Sequence, residues 1–420
     1  MTEEKIKIFT ISDMPLSPSG VGTQTRYVIE GLLRTGKYKF VSLGGAIKHQ
    51  QYQPIKTEEW GDDWVIYPVD GFGSPDVIRS IIRNEKPALL WFMTDPRFYE
   101  WLWKIEDEIR PLMPMVYYHV WDNYPYPVFN RKFYLSNDFI ATISKVTDDF
   151  VKTVAPEVER EYVPHAVDSE VFKRITDEEM LHYKKKHFGA DKDKITFFWN
   201  NRNARRKMSG SLVWWFKEFL DQVGHDKARL IMHTDPKDPN GPDLEAYVHE
   251  LGLLKGEIMF SKAKIQPQDL AVMYNIADCI INISDAEGFG LATLEALSCE
   301  TPIIVNMTGG LQEQVTNGKD WFGVGIEPAS KAVIGSQQVP FIYEDRISKE
   351  DFLAAMHKIY KMTDKQRHKL GKKGRKHVEK YYNFENFHKS WERIIDTTIA
   401  KHGSWKTRKG HKAWTLKEAA

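Results

Sequence analysis

The stretch Asp278–Asn306, DCIINISDAEGFGLATLEALSCETPIIVN, decides the fold. It opens on an apolar run, DCIINIS, and turns through Gly-Phe-Gly into ATLEALSC, whose apolar residues fall at helical spacing. It ends in a second apolar run, TPIIVN. Strand, helix and strand over this length make a βαβ unit, and strands that stay apolar without alternating are covered on both faces. Outward toward the N-terminus come ITFFWN from Ile195, ARLIMHT and EIMFS, separated by the helical runs SLVWWFKEFLDQV and LEAYVHELGL, with PQDLAVMYNIA before Asp278. Further upstream the same alternation recurs. IKIFTI (Ile6–Ile11), FVSL from Phe40, WVIYPV from Trp64, ALLWFM from Ala88, MVYYHV from Met115 and FIATIS from Phe139 are each followed by a helix-length stretch. The Pro-bearing segment EYVPHAVDSEVFK (Glu161–Lys173) breaks the rhythm and reads as a domain boundary. From about Lys349 the chain is helical, with no further clear strand. The expectation is an α/β protein of two Rossmann-like parallel-sheet domains, 1–165 and 166–380, followed by a helix and basic tail over 381–420. Ligands of open parallel sheets bind beyond the carboxyl ends of the strands, so the site is expected in a cleft between the two domains.

Composition narrows the classes. The chain has 420 residues, 42% hydrophobic and 28% charged, with 59 Lys+Arg against 58 Asp+Glu, so it is neither disordered nor uniformly basic. No apolar run reaches the roughly 18 residues of a membrane helix, and the N-terminus leads straight into a strand, which points to the cytoplasm. The two cysteines, Cys279 and Cys299, have no partner at zinc-ligand spacing, and no D-x-D pair stands in the chain, so no metal is expected. The charge is uneven: Lys361–Ala420 carries 17 Lys+Arg and 6 Asp+Glu, and the preceding 360 residues are net acidic. The end of the chain interleaves cations with Trp405 and Trp414. It reads either as a solvated tail or as an element that contacts an anionic polymer or places the protein peripherally at a membrane.

Four groups of residues carry chemistry. Glu287 precedes the Gly-Phe-Gly turn and Glu295, eight residues on, lies in the helix that the turn starts. Each carboxylate can accept hydrogen bonds from paired hydroxyls, while the helix start favours an anion between them, as in a nucleotide sugar. Gly288 and Gly290 suit a backbone that approaches a phosphate. Directly after ITFFWN, Arg202 and Lys207 suit a diphosphate, although Arg205 and Arg206 beside them also fit a surface basic cluster. The loop SPSGVGTQT places Gly20 and Gly22 before a helix, but Thr25 stands where a dinucleotide fingerprint needs its third glycine, which argues against hydride transfer. Last, His119 ends MVYYHV and is expected to face the cleft; Trp121, Tyr124, Tyr126 and Phe129 around Asp122 suit a stacked ring or core packing.

These motifs resemble the retaining glycosyltransferases of family 4, which have the GT-B fold and an EX7E signature. Ser284, Glu287–Leu291, Leu294–Ala296, Thr301–Ile304, Gly309, Gly310 and Glu313 match the family pattern, and Glu300 stands where the family usually has Gly. The resemblance implies transfer of a sugar from a nucleoside-diphosphate donor, UDP-linked first with GDP or ADP as alternatives, to a hydroxyl, and no cofactor. It implies that Arg202 and Lys207 hold the pyrophosphate, with Gly22 and the backbone of Gly290 and Leu291 beside it. Glu295 would then hold the ribose, Glu287 the donor sugar with Phe289 in the same turn, and His119 would contact that sugar. It also implies closing helices that cross back to the first domain. The acceptor stays open among a hydroxymethylated base in DNA, a glycan, a lipid-linked sugar and a protein. Paired carboxylates also occur in glycoside hydrolases and phosphorylases, and the basic tail alone would suit a nucleic-acid or membrane adaptor.

Overall fold

The computed structural model describes residues 4–411. Contacts divide the chain into two units. Unit 1 comprises the chain up to Trp121, Tyr126–Ala166 and the chain from Phe384 onward; unit 2 comprises Asp122–Pro125 and Val167–Asn383.

Unit 1 is built on an eight-stranded sheet: β1 (Ile6–Asp13), β2 (Tyr38–Gly45), β3 (Ile55–Lys56), β4 (Trp64–Pro68), β5 (Leu89–Met93), β6 (Met115–His119), β7 (Phe139–Thr142) and β8 (Arg160–Tyr162). The order is β3-β4-β2-β1-β5-β6-β7-β8, and every pair is parallel except β3 with β4. The order reverses about β1, the arrangement of a doubly wound sheet. β5 and β6 are buried along their whole length, which is why their sequences do not alternate. Below them Phe92 stacks on Tyr117 with centroids 4.9 Å apart. The helix Phe384–His402 belongs to this unit: Trp391 packs edge-on to Trp91, Tyr38 donates to Asp396, and a side chain at Gly31 would overlap His388.

Unit 2 carries a six-stranded, wholly parallel sheet of β9 (Ile195–Asn200), β10 (Ala228–His233), β11 (Ile258–Ser261), β12 (Cys279–Asn282), β13 (Ile303–Asn306) and β14 (Gly323–Ile326), in the order β11-β10-β9-β12-β13-β14. Phe197 and Trp199 of β9 meet Phe216 and Phe219 of the helix Ser209–Val223 in its core. An antiparallel hairpin follows, β15 (Ser330–Ile334) with β16 (Ile342–Arg346). The short strands β3 and β8, the edge strand β14 and this hairpin were not expected from sequence. Gly-Val-Gly-Ile in β14 is too short and glycine-rich for periodicity, and the hairpin is exposed on much of its first strand and only half-buried on most of its second. The helix Leu291–Ser298 ends as a Schellman turn: Thr301 donates to the Ala296 carbonyl, Glu300 donates to that of Leu297, and Glu300 takes φ +64°. The non-glycine residue therefore keeps the left-handed turn that glycine usually makes.

The start of the basic tail is packed rather than free. Trp405 lies against the unit 1 core and its indole N–H donates to the Pro87 carbonyl at 2.7 Å. Arg408 is buried, donates to the Arg110 carbonyl and pairs with buried Asp138 at 2.9 Å. Burial alone would raise the Asp138 pKa, but Arg110, the Met115 N–H and Arg408 hold it below the ordinary carboxylate value. The solvated-tail reading therefore fails for Trp405 and Arg408; Trp414 lies outside the described residues. Truncation after His402 is expected to cost about 2–4 kcal/mol, from a lost indole contact and a half-unpaired buried carboxylate. Thermal and urea unfolding of the two chains checks this, and a tail that only meets solvent would leave both curves unchanged.

Candidate functional site

The strongest concentration of buried charge in unit 2 lies past the carboxyl ends of β9 and β12. β9 ends at Asn200, and the loop after it carries Arg202 and a short turn Arg205–Lys207. β12 ends at Asn282, and the loop Ile283–Gly290 leads into the helix Leu291–Ser298. The two loops are joined by backbone: the Asp285 N–H donates to the Arg206 carbonyl at 2.8 Å, and the Arg206 guanidinium donates back to the Ala286 carbonyl. This brings Lys207 and Glu287 together as a buried ion pair. Asn282 also donates to Glu287. Burial would raise Glu287, but the charges of Lys207 and Arg206 and these hydrogen bonds keep it below the ordinary glutamate range. Burial pulls Lys207 down against the opposing charge of Glu287, with Arg206 adding to the fall.

Gly-Phe-Gly is held from below by Gly309 and Gly310. A side chain on Gly309 would overlap the Glu287 carbonyl, and the Gly310 N–H donates to that carbonyl at 3.0 Å. Gly290 takes φ +90° as the residue before the helix, and no side chain caps that helix start. Its glycine is explained by this backbone and by Leu311 and Thr293 packed on it, not by a ligand alone. The carbonyl of Gly288 lies close to Gly310, and Leu291 is the first helical residue. The Phe289 ring is buried edge-on to Tyr382, so the ring anchors the turn.

Glu295 belongs to a relay. Asn200 at the end of β9 donates to the Tyr274 hydroxyl at 2.8 Å, which in turn donates to Glu295 at 2.7 Å. Burial lifts the Glu295 pKa to about 7, with the Tyr274 hydrogen bond opposing it. Asp285 is likewise raised to about 7 by burial, against Arg346. Around it the hairpin contributes Glu344, which grips Arg205 with both oxygens at 2.9 and 2.5 Å and also binds Arg346 at 2.9 Å.

The expected residues divide. Glu287, Lys207, Glu295 and the Gly288–Leu291 turn are gathered in one unit by adjacent elements. Arg202 is exposed and engaged elsewhere: its Nε donates to Asp238 at 2.6 Å, which lowers that carboxylate to about 2. The cation that reaches the Lys207–Glu287 pair is Arg206, which the sequence offered only as part of a surface cluster. Tyr274, Asn200 and the hairpin acids carried no local motif. Two expectations in unit 1 need correction. His119 is fully buried, with its ring nitrogens on the hydroxyls of Tyr117 (3.1 Å) and Tyr134 (2.8 Å), and burial lowers its pKa to about 3. It is a neutral core histidine. Gly22 spends its N–H on the Ser19 cap at 2.9 Å, and a side chain there would stand 2.6 Å from the Met14 carbonyl. Close packing within the loop explains this glycine, and Gly20 is the exposed first residue of the helix Gly20–Leu33.

Residues 183–377 match the family Glycosyl transferases group 1. The match contains Arg202, Lys207, Glu287 and Glu295 and none of the unit 1 residues. Curated relatives include the D-inositol 3-phosphate glycosyltransferases of Corynebacterium jeikeium, 33% identical over 121 residues (27% of this chain, 28% of the relative), and of Geodermatophilus obscurus, 27% identical over 168 residues (39% and 30%). The chain thus aligns with less than a third of the length of these relatives. Among solved structures, sucrose-phosphate synthase from Thermosynechococcus elongatus superposes with TM-score 0.75 at 16% identity, covering 94% of this chain and 100% of that one. Anabaena HepE in complex with UDP-glucose gives TM-score 0.69 at 14% identity, covering 93% and 100%. The fold is GT-B: two parallel-sheet α/β domains with closing helices.

Two outcomes follow from the buried charges. Replacing one member of the ion pair, as in Lys207→Met or Glu287→Leu, is expected to cost about 3–5 kcal/mol, and the double replacement should recover most of it. A double-mutant cycle by urea unfolding reads this directly. For Glu295 the folded pKa lies above the unfolded one, so the folded state holds the extra proton and ionisation is penalised. That penalty is absent below pH 4.5, grows up to about pH 7 and persists above it. Glu295→Gln is therefore expected to raise the melting temperature relative to the parent more at pH 8 than at pH 5, as thermal scans at the two pH values would show.

Proposed function

We propose that the protein is a retaining glycosyltransferase of the family 4 type that moves a sugar from a nucleoside-diphosphate donor to an acceptor hydroxyl. The observation that carries this reading is the buried Lys207–Glu287 pair beside the uncapped start of the helix Leu291–Ser298, inside the stretch that matches glycosyl transferases. An ammonium, a guanidinium and helix N–H groups converge where a leaving diphosphate needs its charge stabilised. Lys207 and Arg206 would meet the phosphates, and Arg202 would join them by releasing Asp238. Glu287, freed from Lys207 as the phosphates take over that cation, would accept sugar hydroxyls; Glu295 would accept from the ribose. No side chain here is placed as a nucleophile. The diphosphate oxygen would take the acceptor proton as the new glycosidic bond forms on the face the donor leaves. The chain's share of the work is orientation and charge. UDP is the first candidate, because solved neighbours of the same fold are complexes with UDP and UDP-glucose.

Glu287 is bound to an ammonium and Glu295 to a phenol, an arrangement unlike two carboxylates flanking a glycosidic bond. UDP is expected to raise the melting temperature more than GDP or ADP at equal concentration, since a ligand of the native state must stabilise it. Glu295→Ala should diminish that shift, and Lys207→Ala should lower transfer by about 10²–10³-fold. Absence of a shift with any of the three nucleotides overturns the proposal; an inverted anomeric product in the proton NMR spectrum overturns the retaining mode.

A further inference from the structure

Unit 2 has a second concave surface at the opposite end of its sheet. A cavity of about 590 Å³ opens at the amino ends of β9, β12 and β13, three consecutive strands: Ile195 is the first residue of β9, Asp278 immediately precedes β12 and Pro302 immediately precedes β13. Its sides are the helix Asp177–Phe188 and the first turn of the helix Asp364–Tyr381. Five Lys/Arg and five Asp/Glu line it, and most are paired with one another. Arg174 binds Asp177 at 2.9 Å, Lys192 binds Asp193 at 2.5 Å, and Arg367 binds Asp364 and stands 3.4 Å from Asp278. Asp278 also accepts from the Thr196 N–H at 2.8 Å.

The groups left over decide what fits. The Lys184 side chain is only 20% exposed, its ammonium stands 3.7 Å from Asp278, and it makes no hydrogen bond among the described residues. Lys365, also in the wall, has neither an ion pair nor a hydrogen bond among them. Oε2 of Glu300 and Nδ1 of His368 are buried 3.5 Å apart, and neither is hydrogen-bonded. Buried polar atoms in folded proteins are nearly always met. A largely buried ammonium and a buried carboxylate oxygen left open in one cavity therefore call for a ligand that has both an oxyanion and a hydrogen-bond donor. The field at the mouth favours the anion, since the helix Asp364–Tyr381 carries eight Lys+Arg against two Asp+Glu. The helix starts do not supply this attraction, because Thr176 and Thr363 each close a capping box on their own first turn.

The cavity shares its wall with the relay that holds Glu295. Asn275 lines it, accepts from the Ile175 N–H at 3.0 Å and donates to the Lys173 carbonyl at 2.9 Å. Its neighbour Tyr274 is the phenol that donates to Glu295. Thr301, in the same wall, donates its hydroxyl to the Tyr274 carbonyl at 2.8 Å, and Glu300 lies in the turn that ends the helix carrying Glu295.

We propose that this cavity is an effector site for a small hydroxylated oxyanion, with Lys184 and Lys365 on the anionic group, Glu300 on a hydroxyl, and occupancy coupled through Tyr274 to Glu295 and so to nucleotide binding. The coupling rests on the donor reading of Glu295; the binding does not. The experiment is methyl NMR on the full chain labelled at Met and Ile, whose probes in the wall are Met180 and Ile195. Glycerol 1-phosphate and glycerate are the phosphate and carboxylate sources, inorganic phosphate and acetate the bare anions, and glycerol the uncharged control. Met180 and Ile195 are expected to shift with at least one of the two hydroxylated anions, more tightly than with its bare anion, and not with glycerol; the tighter of the two identifies the anionic group. Lys184→Gln should weaken that binding about tenfold. Glu300→Gly keeps the left-handed turn, which glycine adopts readily, and should bring the hydroxylated anion down to the affinity of the bare one. Filling the cavity should change the UDP dissociation constant about fivefold or more, and UDP should change the effector's constant by the same factor. Unmoved Met180 and Ile195 resonances with every probe, undiminished binding in Lys184→Gln, or binding that leaves UDP affinity unchanged would each overturn the effector site. If the anions bind as expected and UDP does not bind at all, the donor reading fails, the coupling falls with it, and the anion site stands.

Discussion

The Lys207–Glu287 ion pair is the constraint around which unit 2 is arranged. Two charges out of water cost several kcal/mol each unless they meet closely and have their remaining hydrogen bonds met. The chain satisfies this by bringing two loops from adjacent strands within backbone reach, Asp285 to Arg206 and Arg206 to Ala286. The Gly309–Gly310 pair then supports the Glu287 peptide from below, where no side chain fits. Such an arrangement is stable only while each charge has a counterpart. On the proposed reading an entering diphosphate would exchange partners with it, and stability and ligand exchange would rest on the same atoms.

The hairpin β15–β16 extends the charge network outward. Glu344 neutralises Arg205 and Arg346, and the Asp345 N–H donates to the Asp285 carbonyl at 2.9 Å. Of the clustered cations Arg202 and Arg205–Lys207, each is thus assigned: Arg202 to Asp238, Arg205 to Glu344, Arg206 to the Ala286 carbonyl and Lys207 to Glu287. Four basic residues within six positions would repel one another if left unpaired. Their dispersal onto four separate acceptors explains how the stretch folds as a compact turn.

Sequence carried the sheets and the glutamate pair, for physical reasons. Parallel strands buried on both faces, such as Leu89–Met93 and Ile303–Asn306, must be apolar without interruption, and Glu287 and Glu295 sit at a fixed offset across a glycine turn. What sequence did not carry depends on contacts between distant residues. His119 ends a strand, which suits a ligand contact, yet its ring turns inward to two tyrosine hydroxyls that lie two and fifteen positions away. Arg206 rather than Arg202 lies beside the ion pair, with its guanidinium on the Ala286 carbonyl, because of how the turn Arg205–Lys207 winds, a matter of local backbone that four clustered cations do not reveal. By composition the basic tail reads either as solvated or as a contact element; its Trp405 and Arg408 find a core and a carboxylate some 270 or more positions earlier.

The Schellman turn at Glu300 has a bearing on Glu295. The helix Asp364–Tyr381 crosses that turn at Gly371, where any side chain would strike the Glu300 carbonyl, and at Gly374, which faces Leu297. The two glycines form a notch that seats the end of the short helix bearing Glu295. Pressure applied at the notch by a single added methyl group would travel barely one and a half helical turns before reaching the carboxylate. A glycine on the neighbouring helix, with no chemistry of its own, in this way bears on how accurately that carboxylate is placed.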